Sequence, residues 1–254
     1  MNRFIFYILI SVCIQLWHHK EIYATSPKLV IVLSYDQMRG DYIERFRPVF
    51  SKNGFVRLAD EGAYFSNAHY GHASNVTCAG HAVLMTGCNP SKTGIVSNDF
   101  FDPETQCACY CAEEPDSAHN HEKKPAPTLL LVPTLGDYVK EKYPDSKQVA
   151  IAIKDRAAIL MAGKKARHVM WLDDKIGRFT TSDYYEMPAW MDDWHRDNPV
   201  YSFFGKTWNT VLDNYVGFAD TVAYEGKMPG GDNVFPHTIP DSGSNAVYAF
   251  ACTP

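Results

Sequence analysis

Residues 29–33 read Leu-Val-Ile-Val-Leu, five aliphatic side chains in succession with no polar residue between them. A strand that shows one face to water alternates apolar and polar residues, because successive side chains point to opposite faces. A short apolar run without alternation therefore predicts a parallel strand buried on both faces, which requires helices on either side of its sheet. The run leads into Asp36, so the prediction places a carboxylate at the C-terminal end of a central strand. A second such run, residues 148–154, reads Gln-Val-Ala-Ile-Ala-Ile-Lys and predicts another buried strand. The fold class that follows is α/β.

Helical segments fall between these runs. Tyr42, Phe46, Phe50, Phe55 and Leu58 are spaced to line one face of a helix over residues 41–62, with Gly62 as its C-terminal cap. Residues 63–68 predict a short strand, residues 80–86 a helix stopped by Gly87 and Pro90, and residues 133–139 the start of a further helix. Residues 102–128 are rich in Cys, acidic residues, His and Pro and read as an irregular excursion. Aromatic residues crowd residues 171–204, which predicts a cap region of short elements over about residues 160–250.

With 254 residues and 46% hydrophobic content, the chain has enough material for one α/β domain with a sizeable core. Its net charge of −5 argues against a general nucleic-acid binder, which normally carries a basic excess. It does not argue against an anionic substrate, because a bound metal inverts the local potential.

Residues 1–24 have the pattern of a secretory signal: Arg3 provides a positive start, an apolar stretch follows, and Ala24 offers a small residue for cleavage. An uncleaved anchor is the competing reading. Residues 25–254 would then form the exported domain, periplasmic or secreted, with no stable membrane association once the signal is removed. Seven cysteines in an exported chain permit disulfides. Cys107, Cys109 and Cys111 alternate, so a strand would point all three to one face. Their spacing lacks the two-residue gap of paired zinc thiolates, and a loop held by one disulfide to a distant partner is the preferred reading. Pairing among Cys78, Cys88, Cys107, Cys109, Cys111 and Cys252 is left open.

Residues 74–87 carry the most specific chemistry, with Thr77 where a loop turns into a helix. The unpaired N–H groups and dipole of a helix start favour an anion and a partly ionised hydroxyl. A strand-end carboxylate and a helix-start hydroxyl are parts of a metal-assisted phosphoryl-transfer site. Singly, each has an ordinary explanation. Thr77 can be an N-cap, Asp36 and Asn98 turn residues, and Lys154 with Arg156 a solvated basic pair.

Together these segments resemble the alkaline phosphatase superfamily. They are similar, specifically, to the phosphate-irrepressible periplasmic alkaline phosphatases with a threonine nucleophile, related to type I phosphodiesterases and nucleotide pyrophosphatases. The residues that carry the resemblance run in order: Asp36-Gln37-Met38-Arg39, Thr77 with His81, Thr86-Gly87, Gly94-Ile95, Asn98-Asp99, Lys154-Asp155-Arg156 and residues 180–185.

The resemblance implies an alkaline-phosphatase-like core, with a central, mostly parallel sheet flanked by helices and a cap region. It implies two zinc ions, Asp36 and Thr77 as metal ligands, and Thr77 as the nucleophile that becomes phosphorylated. It implies that Asn98, Lys154 and Arg156 bind the phosphate oxygens, with small phosphate esters as partners. Two cations suit the dianion of a monoester, and alternation over an extended segment would put Lys154 and Arg156 on the same side. The same resemblance assigns His81 and His237 structural roles. A charged, Pro-flanked loop accounts for His119 and His121.

Other zinc ligands of that family, an Asp-His pair, an Asp-x-x-x-His motif and a late His, have no counterpart here. Asp192, Asp193 and His195 fall in the cap region instead. The expectation is that the chain is the N-terminal part of a longer enzyme, with the C-terminal part of the fold and the remaining ligands beyond Pro254, and is inactive alone. The alternatives are a phosphodiesterase of the same superfamily and a non-catalytic exported homologue. Thr93, where the family typically has His, is a smaller departure.

Overall fold

The computed structural model describes residues 27–104, 106–114, 124–209, 226–227, 233–243 and 246–247. The predicted signal, His119, His121, Cys13 and Cys252 lie outside them. The chain divides after Arg39 into two units, residues 1–39 and 40–254.

In the first unit the predicted strand does not form. Residues 29–33 take no regular secondary structure and enter no ladder among the described residues, and their side chains face solvent, with Leu29 76% and Ile31 69% exposed. Consecutive aliphatics specify burial on two faces only when neighbouring strands and covering helices are supplied. The segment ends in a turn closed by the Met38 N–H donating to the Tyr35 carbonyl at 3.4 Å. Asp36 and Gln37 are the central residues of that turn, and Gln37 has φ of 60°.

The second unit begins with two short helices in place of the single predicted one: α1, Tyr42–Phe46, and α2, Phe55–Glu61, the latter capped by Gly62. Residues 47–54, which include Pro48 and end at Gly54 with φ of 97°, separate the two helices. Residues 63–68 form no strand, with a turn at Ser66 and Asn67 in place of the predicted one. Helix α3, Thr77–Thr86, starts three residues earlier than predicted and stops at Gly87 in the left-handed conformation. A short α4, Pro90–Thr93, follows.

The excursion is more ordered than its composition suggested. Strands β1, Asp99–Asp102, and β2, Cys107–Tyr110, form an antiparallel hairpin. Its end is tied to α3 by a disulfide between Cys78 and Cys111 across a sequence separation of 33, the distant-partner arrangement expected for this loop.

Helix α5, Leu135–Lys142, opens with a capping box. Thr134 Oγ1 accepts from the Asp137 N–H at 3.1 Å, and Asp137 Oδ2 accepts from the Thr134 N–H at 2.9 Å. The Thr134 hydroxyl donates onward to the Ala162 carbonyl, and Asp137 Oδ1 accepts from the Lys165 N–H. Gly163, with φ of 82°, must be glycine here, because a Cβ would collide with Thr134 Oγ1 and the Asp137 carboxyl.

The remaining core is a βαβ unit. Strand β3, Val149–Ala152, leads through helix α6, Asp155–Ala162, to β4, His168–Asp173, with β3 and β4 parallel. Strand β5, Arg178–Thr180, adds to β4 antiparallel, giving the order β3-β4-β5. The predicted second strand therefore exists, but as an edge strand with Val149 and Ile151 exposed rather than buried on both faces. Ala158, Ile159 and Leu160 of α6 are buried with Cys78 and Ala82 of α3, Ile95, Leu130 and Val169 of β4.

Helix α7, Met191–Asp197, a 3-10 turn, Val200–Phe203, and the two-residue strands β6, Thr207–Trp208, and β7, His237–Thr238, complete the described chain. A separate small cluster joins Ile239 and Ala246 to Phe203 and Phe204. No helix among the described residues is long and apolar enough to cross a membrane.

Candidate active site

Thr77 is the first helical residue of α3 and is half-buried; the N-cap position belongs to Val76, which makes no side-chain cap bond. The ordinary capping role for Thr77 is thus not the one it takes. His81, one turn later, uses Nδ1 to bond the Thr77 carbonyl at 2.7 Å, so its ring serves the helix.

Asn98 is held against the same helix start. Its Oδ1 accepts the Cys78 N–H at 3.0 Å, and its backbone carbonyl accepts the Cys111 N–H at 2.9 Å. An N–H donor requires an oxygen opposite it, which fixes the amide orientation. The carbonyl end of Asn98 is committed to the helix, and its NH2 end is the donor that it presents elsewhere.

Lys154 and Arg156 flank the start of α6. Lys154 is the half-buried N-cap residue and Arg156 lies inside the first turn. The expected shared face of an extended segment does not arise, because the strand ends at Ala152 and the helix begins at Asp155. Period-two alternation stops where helical turning starts.

Tyr110, not anticipated from the sequence, organises Arg156 together with Asp155 of the Lys154-Asp155-Arg156 motif. The Tyr110 hydroxyl, at the end of β2, donates to Asp155 Oδ1 at 2.6 Å and accepts from Arg156 Nη1 at 3.4 Å. Asp155 Oδ1 also accepts the Arg156 backbone N–H at 2.7 Å. Burial, together with the bond to Asp155, pushes the Tyr110 phenol far above its ordinary pKa. Burial lowers the pKa of Arg156, but the hydrogen bond to Tyr110 and the charges of Tyr110, Asp155 and Asp99 outweigh it and raise it overall. Arg156 Nε is enclosed and has no hydrogen-bond partner among the described residues. A buried donor without an acceptor is costly, and an anion would supply the acceptor.

Thr77, Asn98 and Arg156 are therefore brought into one connected region. Helices α3 and α6 pack on each other, and the link Thr77-Cys78–Cys111-Tyr110 joins the hydroxyl to the group that holds Arg156. The only sequence cue for Tyr110 was its place in Cys-Ala-Cys-Tyr-Cys, where an aromatic reads as ordinary strand packing. Asp36 belongs to the first unit and is exposed on its turn. Among the described residues no group of three His, Cys, Asp or Glu side chains is placed to hold a metal ion.

His195 is buried on α7, where Nε2 accepts the Phe179 N–H at 2.8 Å and Nδ1 lies 3.3 Å from Arg178 Nη2. Burial, with the Arg178 charge, lowers its pKa. It is a packing residue beside β5.

Comparison with known proteins gives this arrangement a context. Alkaline phosphatase PhoV of Synechococcus elongatus is 34% identical over 222 residues, covering 83% of this chain and 40% of PhoV. Alkaline phosphatase PafA of Elizabethkingia meningoseptica is 34% identical over 224 residues, covering 84% of this chain and 41% of PafA. The crystal structure of wild-type PafA superimposes with a TM-score of 0.75 at 32% identity, over 83% of this chain and 43% of that one. The fold is accordingly alkaline-phosphatase-like, and the chain spans about two-fifths of the length of these relatives.

A second PafA crystal structure is of a variant substituted at a threonine, an asparagine, a lysine and an arginine. The first pair is separated by the same interval as Thr77 and Asn98, and the second by the same interval as Lys154 and Arg156. Residues 30–230 match the profile described as type I phosphodiesterase/nucleotide pyrophosphatase, and the chain belongs to that family.

Proposed function

We propose that this chain carries the nucleophile and phosphate-binding half of an exported phosphomonoesterase of alkaline phosphatase type. The observation that carries the proposal is the donor set around the start of α3. Asn98 has its oxygen committed and its NH2 end to present, and Arg156 has an enclosed Nε without an acceptor among the described residues. A phosphate dianion has the acceptors these donors need.

In the proposed reaction Thr77 Oγ1 bonds to phosphorus as the ester P–O bond breaks, and the alcohol leaves. Water then releases phosphate from the phospho-threonine. Asn98, Lys154 and Arg156 hold the non-bridging oxygens, whose charge grows in the transition state. Lys154 and Arg156 bring two positive charges, which favours a dianionic monoester over a monoanionic diester.

Two zinc ions belong to the proposal, with Asp36 and Thr77 as ligands from this chain. When bound, such ions lower the pKa of a hydroxyl and stabilise the entering and leaving oxygens. Two donors do not complete a four-coordinate shell, and the described residues alone do not fit a zinc site. The remaining ligands are proposed to lie beyond Pro254, and DNA sequencing past that codon tests this directly. An Asp-x-x-x-His and an Asp-His encoded there are expected.

The functional test compares an aryl phosphate with its methyl diester, using the product of the extended reading frame. Monoester preference is expected, with the Arg156→Ala variant losing more monoester than diester turnover and Thr77→Ala forming no covalent intermediate. A diester preference would support the other activity in the family's description and overturn the monoesterase proposal. Robust turnover by the 254-residue chain with added zinc would refute the proposed incompleteness.

A further inference from the structure

An arginine binds a phosphate well only when its planar fork is held in one orientation, since its long side chain otherwise loses rotamer freedom on binding. In this chain the holding group is a tyrosine from a different element. Tyr110 Oη donates to Asp155 Oδ1 at 2.6 Å and accepts from Arg156 Nη1 at 3.4 Å. That second bond is the one the Arg156 guanidinium makes among the described residues. It occupies Nη1 and leaves the edge formed by Nε and Nη2 for another acceptor.

Tyr110 is itself fixed from several directions. Its backbone N–H donates to Oε1 of the buried Glu113 at 2.7 Å. The next residue, Cys111, is bonded to Cys78 of α3. Asp155 receives both the phenol and the Arg156 backbone N–H on one oxygen, so the start of α6 and the phenol share one anchor. Burial keeps the phenol protonated, so it remains a donor to Asp155 and offers Arg156 a lone pair.

We propose that Tyr110 is a positioning residue that orients the guanidinium of Arg156 toward phosphate oxygens. The proposal rests on the phosphate-binding role given to Arg156 above. Its competitor is a Tyr110–Asp155 bond that merely braces the hairpin against α6. In that case Arg156 would owe its orientation to other packing.

The variant that separates these is Tyr110→Phe, which keeps the packed ring and removes the hydroxyl. In the full 254-residue chain, nitrogen-15 NMR at low temperature can follow the Arg156 Nη–H groups, assigned from the signals lost in Arg156→Lys. Losing the hydrogen bond at Nη1 corresponds to about a three- to tenfold increase in Nη–H exchange in Tyr110→Phe. Because Asp155 also loses a donor, Tyr110→Phe should melt somewhat lower than the parent, so exchange is compared well below both midpoints. An Arg156 signal that exchanges equally in both, or is already unprotected in the parent chain, overturns the proposal.

Inorganic phosphate provides the second readout, by titration calorimetry on the parent, Tyr110→Phe, Arg156→Ala and the double variant. Tyr110→Phe should weaken binding by a similar factor in the parent and have no further effect once Arg156 is gone. Equal losses in both backgrounds would show a brace rather than a positioning role. If Arg156→Ala leaves phosphate affinity unchanged, the phosphate-binding role of Arg156 fails. The exchange measurement still decides whether Tyr110 orients it.

Discussion

Two apolar runs of nearly the same character have different fates in this molecule. Residues 149–152 form β3, parallel to β4 in the register Ala150 to Val169 and Ile151 to Met170. Residues 29–33, equally free of polar interruptions and richer in large aliphatic side chains, enter no ladder and expose their side chains. The difference lies in what the neighbouring sequence supplies. Strand β3 is followed directly by α6 and then β4, so partner strand and covering helix arrive within about one βαβ unit of chain. Among the described residues the earlier run has no such local partner. Hydrophobicity nominates a strand, and the availability of a partner decides whether it forms.

The largest expected effect comes from breaking the helix that makes β3 possible. Ile159 is fully buried on α6, and Ile159→Ala should cost about 2–5 kcal/mol by urea denaturation. A loss under about 1 kcal/mol would mean that α6 does not form a close-packed layer.

Removing the staple at the other side of that core comes next. Replacing Cys78 and Cys111 together by Ser opens a closed loop spanning 33 positions, and the expected loss is about 2–4 kcal/mol. An unchanged denaturation midpoint in oxidised material would show that the disulfide does not constrain the unfolded chain.

Thr134→Ala should cost roughly 1–2 kcal/mol, since it deletes one arm of the capping box and the bond to the Ala162 carbonyl. Unchanged stability by thermal melting would reveal a substitute cap.

The smallest effect belongs to the unpaired run. Ile31→Ala should stay within about 0.5 kcal/mol, because the side chain is already 69% exposed. A loss comparable to that of Ile159→Ala would show that this run is buried in solution and would erase the contrast between the two regions.

What the sequence revealed follows the same division between local and distant information. The helix around residues 80–86, its stop at Gly87, the helix after Thr134 and the strand at residues 149–152 are specified by local periodicity and caps. The family was legible as well, because its marks are short motifs kept in order. The single helix over residues 41–62 was misjudged because aromatic spacing continued across residues 47–54, where the first helix has already stopped at Phe46 and the next begins only after Gly54. The shared face of Lys154 and Arg156 was misjudged because the strand-to-helix boundary falls between Ala152 and Asp155. Tyr110 and the Cys78–Cys111 pairing were out of reach, since both depend on contacts between segments 33 or more positions apart.

Asn98 bears on a conflict between durability and work. An aspartate there would still accept the Cys78 N–H, and its charge would suit the positive end of α3, a gain of about 0.3–1 kcal/mol. It would also lack an NH2 group and would repel any anion approaching Thr77. Folding alone would favour the acid, so under the proposed phosphate-binding role the neutral amide gives up stability for recognition. Asn98→Asp should therefore yield a sturdier protein with poorer phosphate affinity.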